Sequence, residues 1–300
     1  MKQMTLLLAS LLACTASVVQ DRQDQLVRPH ILGIADVRIF VTNIAAARGF
    51  YSMALDPSAP CLWCEEIPRS PLIILLNAEQ FAILVTPPTP PPSDLLDQIT
   101  FATDNLAALK KVLTANKVAF IGPNDTADRI TVTDPEGHRI GFRQYRTISP
   151  KSVLNASSTR IIHAGFVVHD RAAEDRFYKD ILGFHVYWHG GRNDDETSWV
   201  DMQVPDGTDW LEYMLNVPAN ADHHTLGVMN HIALGVPDIH AAEAQLRKNG
   251  WSGNEKPKIG RDGKWQLNLY DPDDTRVEFM EFTPVQKPCC SDYTGPHPKP

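Results

Sequence analysis

Two stretches of the chain distribute apolar and polar positions in the same way, 127 residues apart. In the first, an apolar run over 34–41 is closed by Asn43 and followed by alanine-rich sequence and Phe50-Tyr51. In the second, a run over 161–168 is closed by Asp170 and followed by alanine-rich sequence and Phe177-Tyr178. Each predicts a strand, a side chain suited to N-capping, and an amphipathic helix. The pattern returns at 98–115, with Asp104 as the cap, and at 231–249, with Asp238. Short strand patterns follow the helices, at 130–133 and 139–145 and again at 265–270 and 276–282. Each pair flanks a turn, Asp134-Pro135-Glu136-Gly137 or Asp271-Pro272-Asp273-Asp274, in which Pro fixes φ and Asp bonds its own backbone. The chain therefore predicts an α+β protein of four strand–helix–strand–strand–strand units.

The connections divide it further. Residues 86–93 are proline-rich and predict a stiff extended spacer between units one and two. Residues 216–228 are given the same part between units three and four, and 147–158 join the halves. The expected divisions are a leader at 1–20, a first half at 30–147, a second half at 159–284 and a loose proline-rich tail at 285–300.

The first twenty residues stand apart. A weakly basic start and a nine-residue apolar run, 5–13, are too short for a membrane span and predict a secretory leader. Leu11-Leu12-Ala13-Cys14 also resembles a lipoprotein signal, so an exported protein, periplasmic or held to a membrane surface by a lipid on Cys14, is expected. Net charge is −8 with no basic run, which excludes a nucleic-acid partner. Beyond the leader, Cys61, Cys64, Cys289 and Cys290 admit structural disulfides, a zinc clip or free thiols.

The chemistry lies in the second half. His163 and His231 fall in the first strands of units three and four, and Glu212 and Glu278 in the last. The spacing is 49 residues from 163 to 212, 19 from 212 to 231 and 47 from 231 to 278. Two equivalent units facing one another bring two imidazoles and two carboxylates together, a donor set for one divalent ion: Ni, Co, Zn, Fe or Mn. Both glutamates stand among apolar neighbours, where an unpaired carboxylate is costly. The corresponding places in the first half read Asp36, a residue near Ile83, Gln98 and Gly141, so that half is expected to hold no metal.

The four-unit pattern, the sequence Phe177-Tyr178-Lys179-Asp180-Ile181-Leu182-Gly183-Phe184 and the Asp-Pro turn before a Glu resemble the vicinal oxygen chelate (VOC) superfamily, which includes glyoxalase I, bleomycin-resistance proteins and extradiol dioxygenases. The resemblance covers about 31–146 and 160–284. It implies βαβββ modules curled into an open barrel around the metal in each of two domains, the first degenerate. The ligand order is most similar to glyoxalase I. A lyase or isomerase is therefore expected, with Glu212 or Glu278 as the base that moves a proton beside a carbonyl. Trp210, Met214, Asn216 and Tyr270 are expected in the substrate pocket. Asn216 matches a glutathione-contacting Asn of that family, but Val167 stands where it carries Arg, which argues against a glutathione thioester. An extradiol-type dioxygenase needs only His163, His231 and Glu278, and is the alternative, as is a protein that sequesters a small molecule such as an antibiotic. His223 and His224 are solvated loop residues or, in the dioxygenase reading, an acid–base. A small-molecule substrate and a second copy of the chain are the expected partners.

Overall fold

A computed structural model describes residues 27–55, 72–77, 79–122, 126–146 and 157–300. The leader, Cys14, Cys61 and Cys64 lie outside the described residues. The first unit gives β1 (Ile31–Phe40), α1 (Ile44–Leu55), β2 (Leu72–Leu75) and β3 (Phe81–Val85). The second gives β4 (Leu96–Thr103), α2 (Leu106–Ala115), β5 (Arg129–Thr133) and β6 (Arg139–Gln144). The third gives β7 (Ile161–Val167), α3 (Arg171–Asp175) running on into a π-helical stretch (Arg176–Ile181), β8 (His185–Gly190), β9 (Trp199–Gln203) and β10 (Trp210–Met214). A short helix, α4 (His223–Met229), precedes the fourth: β11 (His231–Val236), α5 (Ile239–Lys248), β12 (Lys258–Ile259), β13 (Trp265–Tyr270) and β14 (Arg276–Glu281).

The strands form two sheets, ordered β2-β3-β1-β4-β6-β5 and β12-β13-β14-β11-β7-β10-β9-β8. Within each unit the first strand pairs parallel with the last. The two units of a half then join through their first strands, antiparallel, β1 to β4 and β7 to β11. These joining strands are covered on both faces, so every residue of β7 and of β11 is buried. This is the mixed α+β, curled-sheet architecture of the VOC fold.

Local chemistry departs from the sequence expectation in three places. Asn105, not Asp104, caps α2, accepting from the Ala108 amide at 3.0 Å, while Asp104 accepts from the His30 amide. The linker 216–228 is not an extended spacer, because Asp222 caps α4 through the Thr225 amide at 2.8 Å and starts a helical turn. The tail is not loose. Thr294 donates to the Tyr187 carbonyl (3.0 Å), Cys289 to that of Arg261 (2.8 Å), and Gln203 donates to the Pro296 carbonyl (2.9 Å).

The halves dock through contacts that are reciprocal. The Tyr51 hydroxyl of α1 donates to Asp271 in the turn of unit four at 3.0 Å, and the Tyr178 hydroxyl of unit three donates to Asp134 in the turn of unit two at 3.0 Å. Asn43 and Asp170 cap α1 and α3 through the amides of Ala46 and Ala173, both at 3.0 Å. The other half braces the chain just before each cap: Asp273 accepts from the Thr42 amide (2.8 Å), and Glu136 from the amides of His169 (2.7 Å) and Asp170 (2.5 Å). Between the sheets, the Ile161 amide donates to Gln80 at 3.0 Å and the Ile34 amide to Asp209 at 2.9 Å. Ile34 and Ile161 are equivalent residues of the two halves. Each half therefore satisfies buried polar groups of the other.

Two outcomes are expected. Tyr51→Phe and Tyr178→Phe each remove one buried hydrogen bond to a carboxylate, and urea denaturation should show a loss of about 1–2 kcal/mol for each. Glu174 is buried in the first turn of α3, accepts from the Glu136 amide at 3.0 Å, and has a second oxygen without a partner. Burial, then the Asp134 charge, push its carboxyl up to about 8. A carboxyl raised on folding favours the native state below its unfolded pKa, and that contribution is lost as pH rises through the folded value. Glu174→Gln should therefore gain stability over the parent as pH rises from about 4.5 to about 8, and match it at lower pH, in the same assay at pH 4.5 and 9.

Candidate metal centre and cavity

The antiparallel register of β7 with β11 sets Gly165 opposite His231 and Ala233 opposite His163. Both imidazoles thus leave adjacent strands on one face of the sheet. Gly165 makes this pairing feasible, since a Cβ there would collide with the His231 ring. The parallel partners complete the set: Glu212 lies two residues beyond Trp210, the partner of His163, and Glu278 pairs with Ala233.

The four side chains converge. His163 Nε2 and His231 Nε2 are 3.1 Å apart. Glu212 Oε2 lies 3.2 Å from His231 Nε2 and 3.7 Å from His163 Nε2, and Glu278 Oε2 lies 3.6 and 3.7 Å from the same atoms. Four donors at about 2.1 Å from one ion stand roughly 3–4 Å from one another, so the spacing fits. The His231 tautomer fits as well: its Nδ1 donates to the Met229 carbonyl at 2.9 Å, which leaves Nε2 as an acceptor at the centre, whereas His163 Nδ1 is buried without a partner. His163, His231 and Glu278 are buried, while the Glu212 side chain is 15% exposed.

Electrostatics points the same way. Burial holds both imidazoles well below the usual histidine value, helped for His163 by the His231 charge and for His231 by Arg276. Burial pushes Glu212 and Glu278 up to about 7, and Arg276 pulls each back. A dication would relieve this stack of desolvated donors. Arg276 itself donates to His231 Nε2 at 2.7 Å and approaches Glu278 to 3.7 Å. Sequence reasoning missed it, although the signal was present: it lies two residues before Glu278 in one strand and so shares its face.

A cavity of about 260 Å³ opens above these residues. Its lining includes Trp188, Trp199 and Trp210 from β8, β9 and β10, and Lys258, Arg261, Asp262, Gln266 and Asn268 from β12, β13 and the turn between them. Asp201, directly across the ladder from Glu212, also faces it, and burial holds its carboxyl well above the usual range. Of the four expected pocket residues only Trp210 lines it. β10 ends at Met214, whose side chain packs with Val167 and Val217. Asn216 sits in a turn at φ +62° and donates to Glu196 (3.1 Å) and the Thr197 carbonyl (3.0 Å), and Tyr270 is exposed at the end of β13. His223 and His224 lie on α4, where His223 contacts the carbonyls of Ser93 and Asp273, not the cavity.

In the first half the same four places hold no such set. Asp36 is buried and pairs with Arg129 at 2.8 and 3.2 Å. Gln98 donates to Thr100 at 3.0 Å, and a side chain at Gly141 would run into both. An internal ion pair and an amide fill the space.

The model of the Glyoxalase/Bleomycin resistance protein/Dioxygenase superfamily matches residues 160–279. The chain thus carries a domain of that superfamily, and its architecture is the VOC fold. Among solved structures it is similar to an extradiol ring-cleaving dioxygenase from B. fuscum, at 19% identity over 88% of this chain and 74% of that one, with a TM-score of 0.63. It is similar also to the homoprotocatechuate 2,3-dioxygenase of Arthrobacter globiformis, at 19% identity over 85% and 80%, TM-score 0.62. A third is the Brevibacterium fuscum homoprotocatechuate 2,3-dioxygenase with 3,4-dihydroxyphenylacetate, at 19% identity over 84% and 81%, TM-score 0.61. At this identity the likeness establishes the fold. No curated protein matched the chain by sequence.

His163→Ala and His231→Ala should each weaken Co²⁺ binding by at least about a hundredfold, while Asp36→Ala leaves it unchanged. Calorimetric titration of the metal-free protein measures this.

Proposed function

We propose that the chain is a metal-dependent VOC enzyme of the ring-cleaving dioxygenase type, acting on a small aromatic vicinal diol. The observation that carries this reading is the unequal burial of the four donors. His163, His231 and Glu278 are enclosed and would hold the ion as a facial set of two imidazoles and one carboxylate, a set suited to Fe²⁺. Glu212 stands at the cavity side with residual exposure, free to act on the substrate. Bound iron would supply charge neutralisation of the two oxygens and a path for electrons to O₂. The protein's own part is positional. The three indoles offer flat apolar surface for an aromatic ring. Glu212 accepts the diol proton, its raised affinity for a proton suiting that task near neutrality. The likeness in fold to extradiol dioxygenases supports the choice and reverses the order expected from the sequence.

One observation favours the second reading, a glyoxalase-like lyase or isomerase. Glu212 Oε2 lies 3.2 Å from His231 Nε2, close enough to serve as a fourth ligand. Export through the leader at 1–20 is a further proposal. It rests on the sequence alone, and mass spectrometry of the native N-terminus tests it.

Oxygen uptake by Fe²⁺-loaded protein presented with catechols separates the two reactions. Uptake is expected, and Glu212→Ala should lower it by about 10²–10⁴-fold with iron retained. Absence of uptake, together with Glu212-dependent proton exchange beside a substrate carbonyl, would replace the dioxygenase by the lyase.

A further inference from the structure

Cys289 and Cys290 form a disulfide between adjacent residues. Its position in the fold is unusual. The second sheet has two outer strands, β8 and β12, and the tail runs from the turn that follows β12 to β8. On one side it follows β8: Ser291 Oγ accepts from the His189 amide and donates to its carbonyl, both at 3.0 Å, and Thr294 donates to the Tyr187 carbonyl at 3.0 Å. On the other it grips the turn between β12 and β13: Val285 donates to the Gly263 carbonyl (2.9 Å), Cys289 to that of Arg261 (2.8 Å), and Tyr293 Oη to that of Asp262 (2.8 Å). The disulfide stands where the two sets of contacts meet, and Trp188 Nε1, from the cavity wall, donates to the Cys289 carbonyl at 3.2 Å. Tyr293 also closes an aromatic cage with Trp210 and Tyr187 around the buried Lys264 ammonium, which has no hydrogen-bond partner.

We propose that Cys289–Cys290 is a reversible redox site and that its state sets access to the cavity. The bond closes a ring through one peptide unit, and Cys290 in it stands at φ +72°, a left-handed conformation that residues with a Cβ avoid, in a turn that the Ser291 amide also closes on the Cys289 carbonyl at 2.8 Å. Breaking it removes that constraint, and the turn relaxes toward ordinary φ. The Arg261 carbonyl and the Trp188 indole then lose the tail atoms that hold them, and both residues line the cavity. The chemistry of reduction is also prepared. Cys290 is exposed, and the Arg261 guanidinium donates toward its sulfur at 3.7 Å, while its ion-pair partner Asp194 places a carboxylate oxygen within 4.8 Å of both sulfurs. A small dithiol attacking Cys289 Sγ releases Cys290 as a thiolate beside that cation, the leaving group such exchange favours. The second thiol of the reagent resolves the mixed disulfide. Overall, two electrons and two protons pass to the cysteines, the S–S bond becomes two S–H bonds, and the dithiol leaves as its own disulfide.

The test uses the full chain with and without dithiothreitol, the small dithiol. Alkylation and mass spectrometry of the tail peptide count the thiols at 289 and 290, separately from Cys61 and Cys64. Hydrogen exchange then follows 185–190 and 260–264, with β1 and β4 as the control for global unfolding. Reduction is expected to speed exchange in those two segments at least tenfold, to leave the control unchanged, to raise acrylamide quenching of tryptophan emission about twofold, and to reverse on reoxidation. Cys289→Ser/Cys290→Ser should exchange at the fast rate whether or not dithiothreitol is present. A bond that resists the dithiol in the folded protein would overturn the proposal. So would equal exchange and quenching in the oxidised and reduced forms.

Discussion

The antiparallel pairing of β7 with β11 is the constraint on which the second half depends. Both strands are buried throughout, and their register presents one histidine from each on a common face. A shift of one residue would turn one imidazole to the opposite face and break the convergence. The parallel neighbours β10 and β14 then need only carry a glutamate at the matching height. Gly165 keeps the middle of the arrangement open, because the His231 ring lies where a side chain would be. The centre is thus assembled by sheet register, on strands that packing holds rigid. A loop would give it less precision.

A second layer of order comes from the reciprocal grip of the halves. Each Asp-Pro turn reaches across to the other half, where its carboxylate receives a tyrosine hydroxyl and its neighbour binds the backbone just ahead of the first helix. These bonds tie the outer ends of one half to the first unit of the other. Separation would exchange these bonds for bonds to water, at a modest net loss for each. The stability of each half is therefore coupled to the other, though each has its own sheet.

The repeat, the four units and the residues that meet at the centre were legible because each rests on a periodic pattern at matched positions. Phe50-Tyr51 and Phe177-Tyr178 announced the equivalence of the halves, although their hydroxyl partners emerged only from tertiary docking. The pocket was harder to read. Counting alternate residues beyond Glu212 assumes a continuing strand, and β10 stops at Met214 before Asn216 turns at positive φ. The cavity wall is drawn from β8 and from the turn between β12 and β13, segments distant in sequence that no local pattern connects. The tail misled for a related reason. Its prolines and glycine suggest freedom, but its backbone groups find partners on the edge strand β8 and on the turn between β12 and β13, which come together only once the sheet has formed. Asp104 and Asn105 are adjacent capping candidates, and sequence alone does not rank them.

The ion pair between Asp36 and Arg129 makes the first half resistant to metal chemistry. Building a metal centre there would require removing the guanidinium and installing donors near Ile83, at Gln98 and at Gly141. Removing Arg129 first strands a buried carboxylate, and a side chain at Gly141 first collides with Gln98 and Thr100. Neither change is favourable by itself, so no route that begins with either one installs a donor set. The asymmetry between the halves is therefore self-reinforcing: the packing that fills the first centre also resists its conversion into a metal site.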